Sequence, residues 1–321
     1  MVTHQGRDLA LQALAAARRA TGGVRVEWLV VDSGSTDGTP DAVERDFPDI
    51  TVARRPNIGF AAGNNLALAG ARGRHVLLVN PDMEIISGTL AELVRALDER
   101  PEVGAASVVQ QWPDGGLQPT IRVFPSAARQ FGEALWLSRL PLFAHLQEEE
   151  RRPEFYETER SADWLVGGFL LVRAEAIKQV GGLDERFFLF SEETDWCLRL
   201  RRAGWDVRHL PIMRVTHHTG RSARADLFAQ NSFSKVLYSR KHFSARARAA
   251  FRIALALRHA VRVVGLAPIS VARPGLRKRV AAERLALMVV LGLIPPPFRP
   301  YHNPPSVTRE TTSPTRAARC S

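Results

Sequence analysis

The sequence predicts an α/β fold, a mostly parallel sheet covered by helices on both faces. Three observations carry this. Short apolar runs such as His75-Val76-Leu77-Leu78-Val79 alternate with helical patterns through the first hundred residues. Carboxylates stand where two of those runs stop, at Asp32 and Asp82. A chain of 321 residues with 45% hydrophobic and 24% charged side chains also has the apolar material for a full core.

Taken in order, Val2-Thr3-His4-Gln5 reads as a loop holding only the last residues of a strand, and residues 8–20 as a helix with Leu9, Leu11 and Leu14 among alanines. A strand over 26–31 runs into Asp32-Ser33-Gly34-Ser35-Thr36-Asp37-Gly38, and a short helix over 40–46 follows with Asp37 as its cap. Ligands bind at the carboxyl edge of open α/β sheets. The Asp32 turn therefore fits a nucleotide pocket, and it fits an ordinary strand-to-helix turn with an Asx cap equally well. A strand over 50–53 ends at Arg54-Arg55-Pro56-Asn57, and the small, polar stretch 59–65 leads into a helix reaching Ala71. The strand 75–79 stops at Asn80-Pro81-Asp82, with a helix over 89–98 and a strand over 103–109 beyond it.

From 110 to 161 the periodicity loosens into a turn at 112–116, an edge strand within 118–124 and a variable excursion that reads as a lid. Order returns with a strand over 164–172, interrupted by Gly167-Gly168, and the helix 174–180. Ser191 reads as the N-cap of a helix to Ala203 with Glu192, Glu193 and Asp195 in its first turn. A strand over 205–210 and a loop over 215–222 bearing His217 and His218 complete a domain of residues 1–225.

The net charge of +11 is concentrated: residues 240–300 hold thirteen Lys and Arg against a single acid, Glu283, and the rest of the chain is close to neutral. This sets off a basic helical segment, 226–300, and a polar tail, 301–321, whose composition predicts disorder. At 100° per residue Arg248, Arg252, Arg258 and Arg262 share one face, with Ile253, Leu257, Val261 and Val264 opposite. Such a basic amphipathic helix points to peripheral membrane association, the alternative being a helix packed on the domain. Residues 285–294 are apolar but too few to span a bilayer. Aromatics for stacking bases are scarce among these arginines, which argues against a nucleic-acid partner. The two cysteines, Cys197 and Cys320, imply no disulfide framework. The first twenty residues lack the basic end and apolar core of a secretory leader, and together these features predict a cytoplasmic protein at the inner face of the membrane.

Asp32, Asp82, the Glu192/Glu193/Asp195 cluster and the two histidines make a chemical set. Carboxylate oxygens hold Mg²⁺ or Mn²⁺ against a diphosphate, imidazole suits Mn²⁺ better, and a carboxylate across the pocket takes a proton from a hydroxyl. Plainer roles fit as well: Asp82 closing an Asx turn, the acids satisfying a helix dipole, and the histidines lying on the surface.

Six motifs in order resemble family 2 glycosyltransferases of the GT-A fold, in the rhamnosyltransferase-like branch that builds bacterial surface polysaccharides. They are residues 30–39, Asn57-x-Gly59-Phe60-x-x-Gly63-x-Asn65, Leu78-Val79-Asn80-Pro81-Asp82, Gly181-Gly182-Leu183-Asp184-Glu185-x-Phe187-Phe188, Glu192-Glu193-x-Asp195-x-x-x-Arg199 and His217-x-x-Gly220-x-Ser222. The resemblance implies an inverting, metal-dependent transfer of rhamnose or a similar sugar. The donor would be a nucleoside diphosphate sugar, and the acceptor a hydroxyl of a polysaccharide or lipid-linked glycan. By the same resemblance Asp32 binds the base, with Ser33, Ser35, Asn57, Gly59, Asn65 and Asn80 lining the nucleotide site. Asp82 and His217 hold Mg²⁺ or Mn²⁺, Glu193 is the general base with Glu192 and Asp195 as rivals, and Trp164, Gly167 and Gly168 face the acceptor. A sugar-phosphate nucleotidyltransferase would need a Gly-rich basic phosphate loop after the first strand, and none is present. The family starts with an apolar central strand, so the natural chain is expected to begin about five to ten residues upstream of Met1.

Overall fold

The computed structural model describes residues 1–218 and 224–300; Gly220, Ser222, Cys320 and the tail expected to be disordered lie outside the described residues. The elements run β1 (Val2–Thr3), α1 (Arg7–Arg19), β2 (Val30–Ser33), α2 (Thr39–Asp46), β3 (Val52–Arg55), α3 (Phe60–Gly70), β4 (His75–Val79), β5 (Met83–Ser87), α4 (Leu90–Asp98), β6 (Val103–Gln111) and β7 (Ile121–Arg122). After them come α5 (Ala127–Ala134), three short 3₁₀ segments, β8 (Arg160–Ser161), β9 (Trp164–Leu165), β10 (Phe169–Arg173), α6 (Ala174–Val180), α7 (Glu192–Arg202), β11 (Asp206–His217), α8 (Ala225–His242), α9 (Ala245–Ala272) and α10 (Gly275–Leu291).

β1, β2 and β3 form a parallel sheet in that order, registered Val2 to Val31 and Val31 to Ala53. The second sheet runs β4-β10-β6-β11-β5, with β8 paired to β11 outside this path. Of its pairings only β6 with β11 is parallel. The expected mostly parallel sheet therefore holds for the first three strands, and the larger sheet is mixed. Apolar periodicity reports that a strand exists; its direction is set by the connections, and the long excursion 112–163 returns the chain antiparallel to β4 and β6. An apolar cavity of about 170 Å³ lies between the two sheets, lined by Met1, Leu14, Trp28, Leu77, Val79 and Leu171 among others. The Met1 amino group donates to the Leu29 carbonyl at 2.8 Å, and burial pulls its pKa down to about 6.

β6 is buried along nearly its whole length and separates two cores. One gathers Leu165, Leu170, Leu183, Trp196 and Leu200; the other gathers Leu93, Leu97, Val108, Phe169 and Met213. Three sequence expectations change here. The strand expected over 26–31 starts at Val30, because Val24 and Val26 pack into the second core as extended chain outside the ladder. The loop expected over 215–222 is strand as far as His217, held between β5 and β6 despite its polar residues. β5 itself follows the Pro81-Asp82 turn without a periodicity that marks it.

Helix α8 starts at the expected boundary of 225 but belongs to the catalytic body. Ser234 Oγ donates to the Leu189 carbonyl at 2.8 Å, Lys235 pairs with Glu148 at 2.6 Å, and Lys241 pairs with Asp184 at 2.6 Å. α9 then packs along α5 and α10.

Candidate active site

The amino-terminal loop and the β2 turn are laced together. Thr3 Oγ1 donates to Asp32 Oδ1 at 3.0 Å, and the Ser35 amide donates to Asp32 Oδ2 at 2.9 Å. The Gln5 amide donates to Ser35 Oγ at 2.8 Å, and Asp37 accepts from the Gly6, Arg7 and Thr39 amides. These bonds, led by the one from the Thr39 hydroxyl, hold the Asp37 carboxyl down to about 2. Asp32 and Ser33 are buried, and Ser33 Oγ has no partner. His4, which sequence reasoning missed, sits between Ser33 and Asn57, with Nδ1 2.7 Å from the Ser33 carbonyl and Nε2 3.4 Å from Asn57 Nδ2. Its signal lay in its place, directly after the β1 stub.

Asn57 Oδ1 accepts from the Gly59 amide at 3.2 Å. Gly59 adopts φ 86° and ψ 172°, and a Cβ there would stand 2.5 Å from the Phe188 carbonyl oxygen. Only glycine fits that conformation and approach. Asn65 is placed differently from the expectation. Its amide clasps the Leu183 backbone from both sides and reaches Glu185 Oε1 at 2.9 Å, so it braces α3 against the 181–185 loop.

Asp82 and His217 meet at the far ends of β4 and β11. His217 Nε2 lies 3.1 Å from Asp82 Oδ2, and both side chains are mostly buried. Gln118 Oε1 lies 3.1 Å from His217 Nδ1, and Trp112 stacks on the ring at 5.8 Å. With Nδ1–H donated to Gln118, the ring is oriented so that Nε2 faces the Asp82 carboxylate, and a metal-ligating histidine is commonly held by such an outer partner. Neither Gln118 nor Trp112 was foreseen, because both lie in the stretch without periodicity. His218 pairs instead with Glu84 at 2.9 Å. Among the described residues no three His, Cys, Asp or Glu side chains gather as a metal-binding group.

Gly167 and Gly168 join the two halves. The Asn80 amide donates to the Gly168 carbonyl at 2.9 Å, and Asn80 Oδ1 is buried without a partner. A Cβ on Gly168 would lie 3.4 Å from Asn80 Nδ2, and one on Gly167 would lie 3.2 Å from the Glu193 Cβ. Trp164 stands beside them on β9, its Nε1 donating to Val123 at 3.1 Å under the Arg122 guanidinium.

The three rival acids are separated by their surroundings. Asp195 is fully buried and gripped by Arg199 Nε at 2.9 Å, Lys241 Nζ at 2.6 Å and His242 Nε2 at 2.6 Å. Burial alone would raise its pKa, but the His242 and Lys241 hydrogen bonds and the Arg199 charge outweigh it and hold the carboxyl low. Glu192 is sealed from solvent, and burial with the Glu193 charge beside it drives its pKa well up, which favours its neutral form. Glu193 is half-buried, takes a hydrogen bond from the Gly167 amide, and keeps a buried Oε2 without a partner. Burial raises its pKa above the usual carboxylate range. Phe190 and Ser191, with φ of 70° and 66°, present this turn in a left-handed conformation disfavoured for such residues. Ser191 contributes no side-chain cap, contrary to expectation, because its backbone is turned away from the capping geometry.

The sequence profile of glycosyl transferase family 2 matches residues 1–169. The N-acetylglucosaminyl-diphospho-decaprenol L-rhamnosyltransferase of Mycobacterium tuberculosis is 32% identical over 277 residues, which is 79% of this chain and 87% of that one. The chain belongs to glycosyl transferase family 2. This glycosyltransferase is also 24% identical over 198 residues to rhamnosyltransferase WbbL of Escherichia coli K12, covering 59% of this chain and 71% of that one. Among solved structures, the mannosyltransferase PcManGT of Pyrobaculum calidifontis, in complex with GDP-Man and Mn²⁺, superposes with a TM-score of 0.53 at 17% identity over 91% of this chain and 84% of that one. The glycosyltransferase thus has the GT-A fold, with its sheets flanked by helices.

Proposed function

We propose that the glycosyltransferase moves rhamnose from a nucleoside diphosphate donor to a hydroxyl of a polyprenyl-diphosphate-linked glycan at the cytoplasmic face of the membrane, with inversion. The observation that carries the mechanism is the carboxylate of Glu193, buried enough to be a stronger base than an exposed acid, partly open to solvent, and with an oxygen unpartnered. It takes the proton of the acceptor hydroxyl while that oxygen attacks the anomeric carbon from the face opposite the leaving diphosphate. The Gly167 amide fixes its aim. Gly167 and Gly168, with Trp164 alongside, leave room for the acceptor. Glu192, held neutral, adds no second charge, and Asp195 anchors the helix through its three cationic partners.

The donor's base and ribose belong at the β2 turn, where Asp32 is braced by Thr3 and Ser35, and Ser33 Oγ and Asn80 Oδ1 wait without partners. Asp82 and His217 suit Mg²⁺ or Mn²⁺: they offer one carboxylate and one oriented imidazole, and the donor's phosphate oxygens would complete the shell. A bound divalent cation would supply the positive charge that steadies a departing nucleoside diphosphate. The reading of donor and acceptor rests on the mycobacterial and E. coli relatives, whose names specify rhamnosyl transfer. Incubating the protein with dTDP-rhamnose, an N-acetylglucosaminyl-diphospho-polyprenol and Mg²⁺ or Mn²⁺ should yield the rhamnosylated lipid by mass spectrometry. Transfer from a different nucleotide sugar, or to glycans without a lipid diphosphate only, would overturn the donor or the acceptor assignment respectively.

A further inference from the structure

Helix α9 has its polarity reversed for a helix on the surface of a water-soluble body. Three of its five arginines turn inward, Arg246 and Arg248 in the first turn being exposed: Arg252 donates to the Val290 carbonyl at 2.7 Å, and Arg258 pairs with Glu133 at 3.0 Å. Arg262 is half-buried, and burial draws its guanidinium down to about 10. The outward stripe is apolar. Ile253, Val264 and Val271, which fall within about 20° of one another around the helix, are 61%, 73% and 75% exposed. The helix is thus packed on the domain, the alternative the sequence left open, with Arg252, Arg258 and Arg262 on the packed side. Two more apolar side chains stand exposed just past α5, the helix packed along α9: Trp136 at 40% and Leu142 at 80%.

Charge identifies what covers this stripe. At the carboxyl end of α9 and along α10, Arg273, Arg277, Lys278 and Arg284 are exposed, and Arg277 and Arg284 line an open groove of about 400 Å³. The lone acid of the segment, Glu283, is fully buried between His259 and Arg279 and offsets nothing at the surface. A second copy of the chain docking here would bring two such cationic rims together. Anionic lipid headgroups meet the rim with opposite charge, and their acyl boundary takes the apolar stripe.

We propose that the outward stripe of α9 lies flat in the interface of an anionic membrane, with the basic residues of α10 contacting phosphate headgroups. This deepens the membrane reading proposed above by naming the surface. α9 is long and apolar enough by composition to cross a bilayer. Arg252 and Arg258, bonded to α10 and α5, instead fix it to the protein.

The test is co-sedimentation of the full chain with vesicles of phosphatidylcholine alone or mixed with phosphatidylglycerol, at low and high salt. The wild type should pellet with the anionic vesicles, at least tenfold less at high salt, and should be released by alkaline carbonate. Val264→Glu with Val271→Glu should lower binding at least tenfold, and Arg277→Gln with Arg284→Gln severalfold. Both variants should keep wild-type turnover on a water-soluble acceptor analogue, and Val264→Ser with Val271→Ser serves if the Glu pair melts early. Undiminished binding by the variants, equal binding to uncharged vesicles, retention after carbonate, or dimers abolished by Val264→Glu would each overturn the proposal. Absent turnover on the soluble analogue with vesicle binding intact would instead overturn the rhamnosyl transfer reading.

Discussion

Replacing Glu193 by Gln and Asp195 by Asn should move activity and stability in opposite senses, because one carboxylate is left open and its neighbour two positions on is clamped. Glu193→Gln keeps the volume and an oxygen for the Gly167 amide but removes the base, so turnover should fall by about 10²–10⁴, or about 2.7–5.5 kcal/mol of barrier. Stability should not fall. The folded-state pKa of Glu193 is raised by burial, so the protein is most stable below the unfolded value of about 4.3 and loses stability as pH rises through the folded value. At neutral pH the neutral amide relieves that penalty, and the melting temperature should hold or rise. Asp195 has the opposite sign: its folded pKa is depressed, so its contribution is present above the unfolded value and lost as pH falls through the folded one. Asp195→Asn removes the charge shared by Arg199, Lys241 and His242, leaving Lys241 only Asp184 and Arg199 only backbone carbonyls, and breaking a buried pair costs about 3–5 kcal/mol. Out of a usual net stability of about 5–15 kcal/mol, that is a large loss. Nucleoside diphosphate release and urea unfolding, measured on both variants at one temperature where both are folded, read the two quantities. If Glu193→Gln turns over within tenfold of wild type while folded Asp195→Asn loses two decades, the base is Asp195 and the burial reasoning fails.

Other outcomes follow from the same geometry. Glu192→Gln should leave turnover within about tenfold, since Gln imitates a carboxyl already neutral; a loss of two decades or more would move the base there. Asp82→Ala should abolish turnover that depends on added Mg²⁺ or Mn²⁺, and full activity of this variant in a chelator would remove the metal from the Asp82–His217 pair. Gly59→Ala should lower the melting temperature markedly, because a Cβ 2.5 Å from the Phe188 carbonyl forces the α3 entry off the 187–190 loop; an unchanged melt would show that the loop yields freely.

Much of this was legible in the residues. The apolar run His75–Val79 is a strand as expected, although half-buried except at Leu78, and the helix expected over 89–98 is present over Leu90–Asp98. The acids at 192, 193 and 195 were visible as a cluster. Their separation was not, because the partners that decide it, Lys241 and His242, lie more than forty positions away in a segment read as an appendage. β11 was cut short in the reading since Thr216 and His217 are polar, yet polar residues belong in a strand end that faces a site. α9 shows a different limit. Its periodicity grouped Arg252, Arg258 and Arg262 opposite Ile253 and Val264, though Arg248 is exposed, and a helical wheel carries no mark of which face meets the protein; that was settled by Glu133 and the Val290 carbonyl.

The latch of α8 on Asp195 and Asp184 bears on how these enzymes can be recombined. The family profile ends at residue 169, before α7, and the residues that hold α7 in place extend to His242. A chimera that joins the donor half of one family member to the carboxyl half of another at the profile's edge would inherit α7 and α8 together and keep the clamp. One spliced near residue 220 would set Asp195 opposite a foreign helix. Substrate swaps made at the first junction should therefore test acceptor choice, whereas swaps at the second would mainly report misfolding. The two helices are thus one structural block, to be exchanged together.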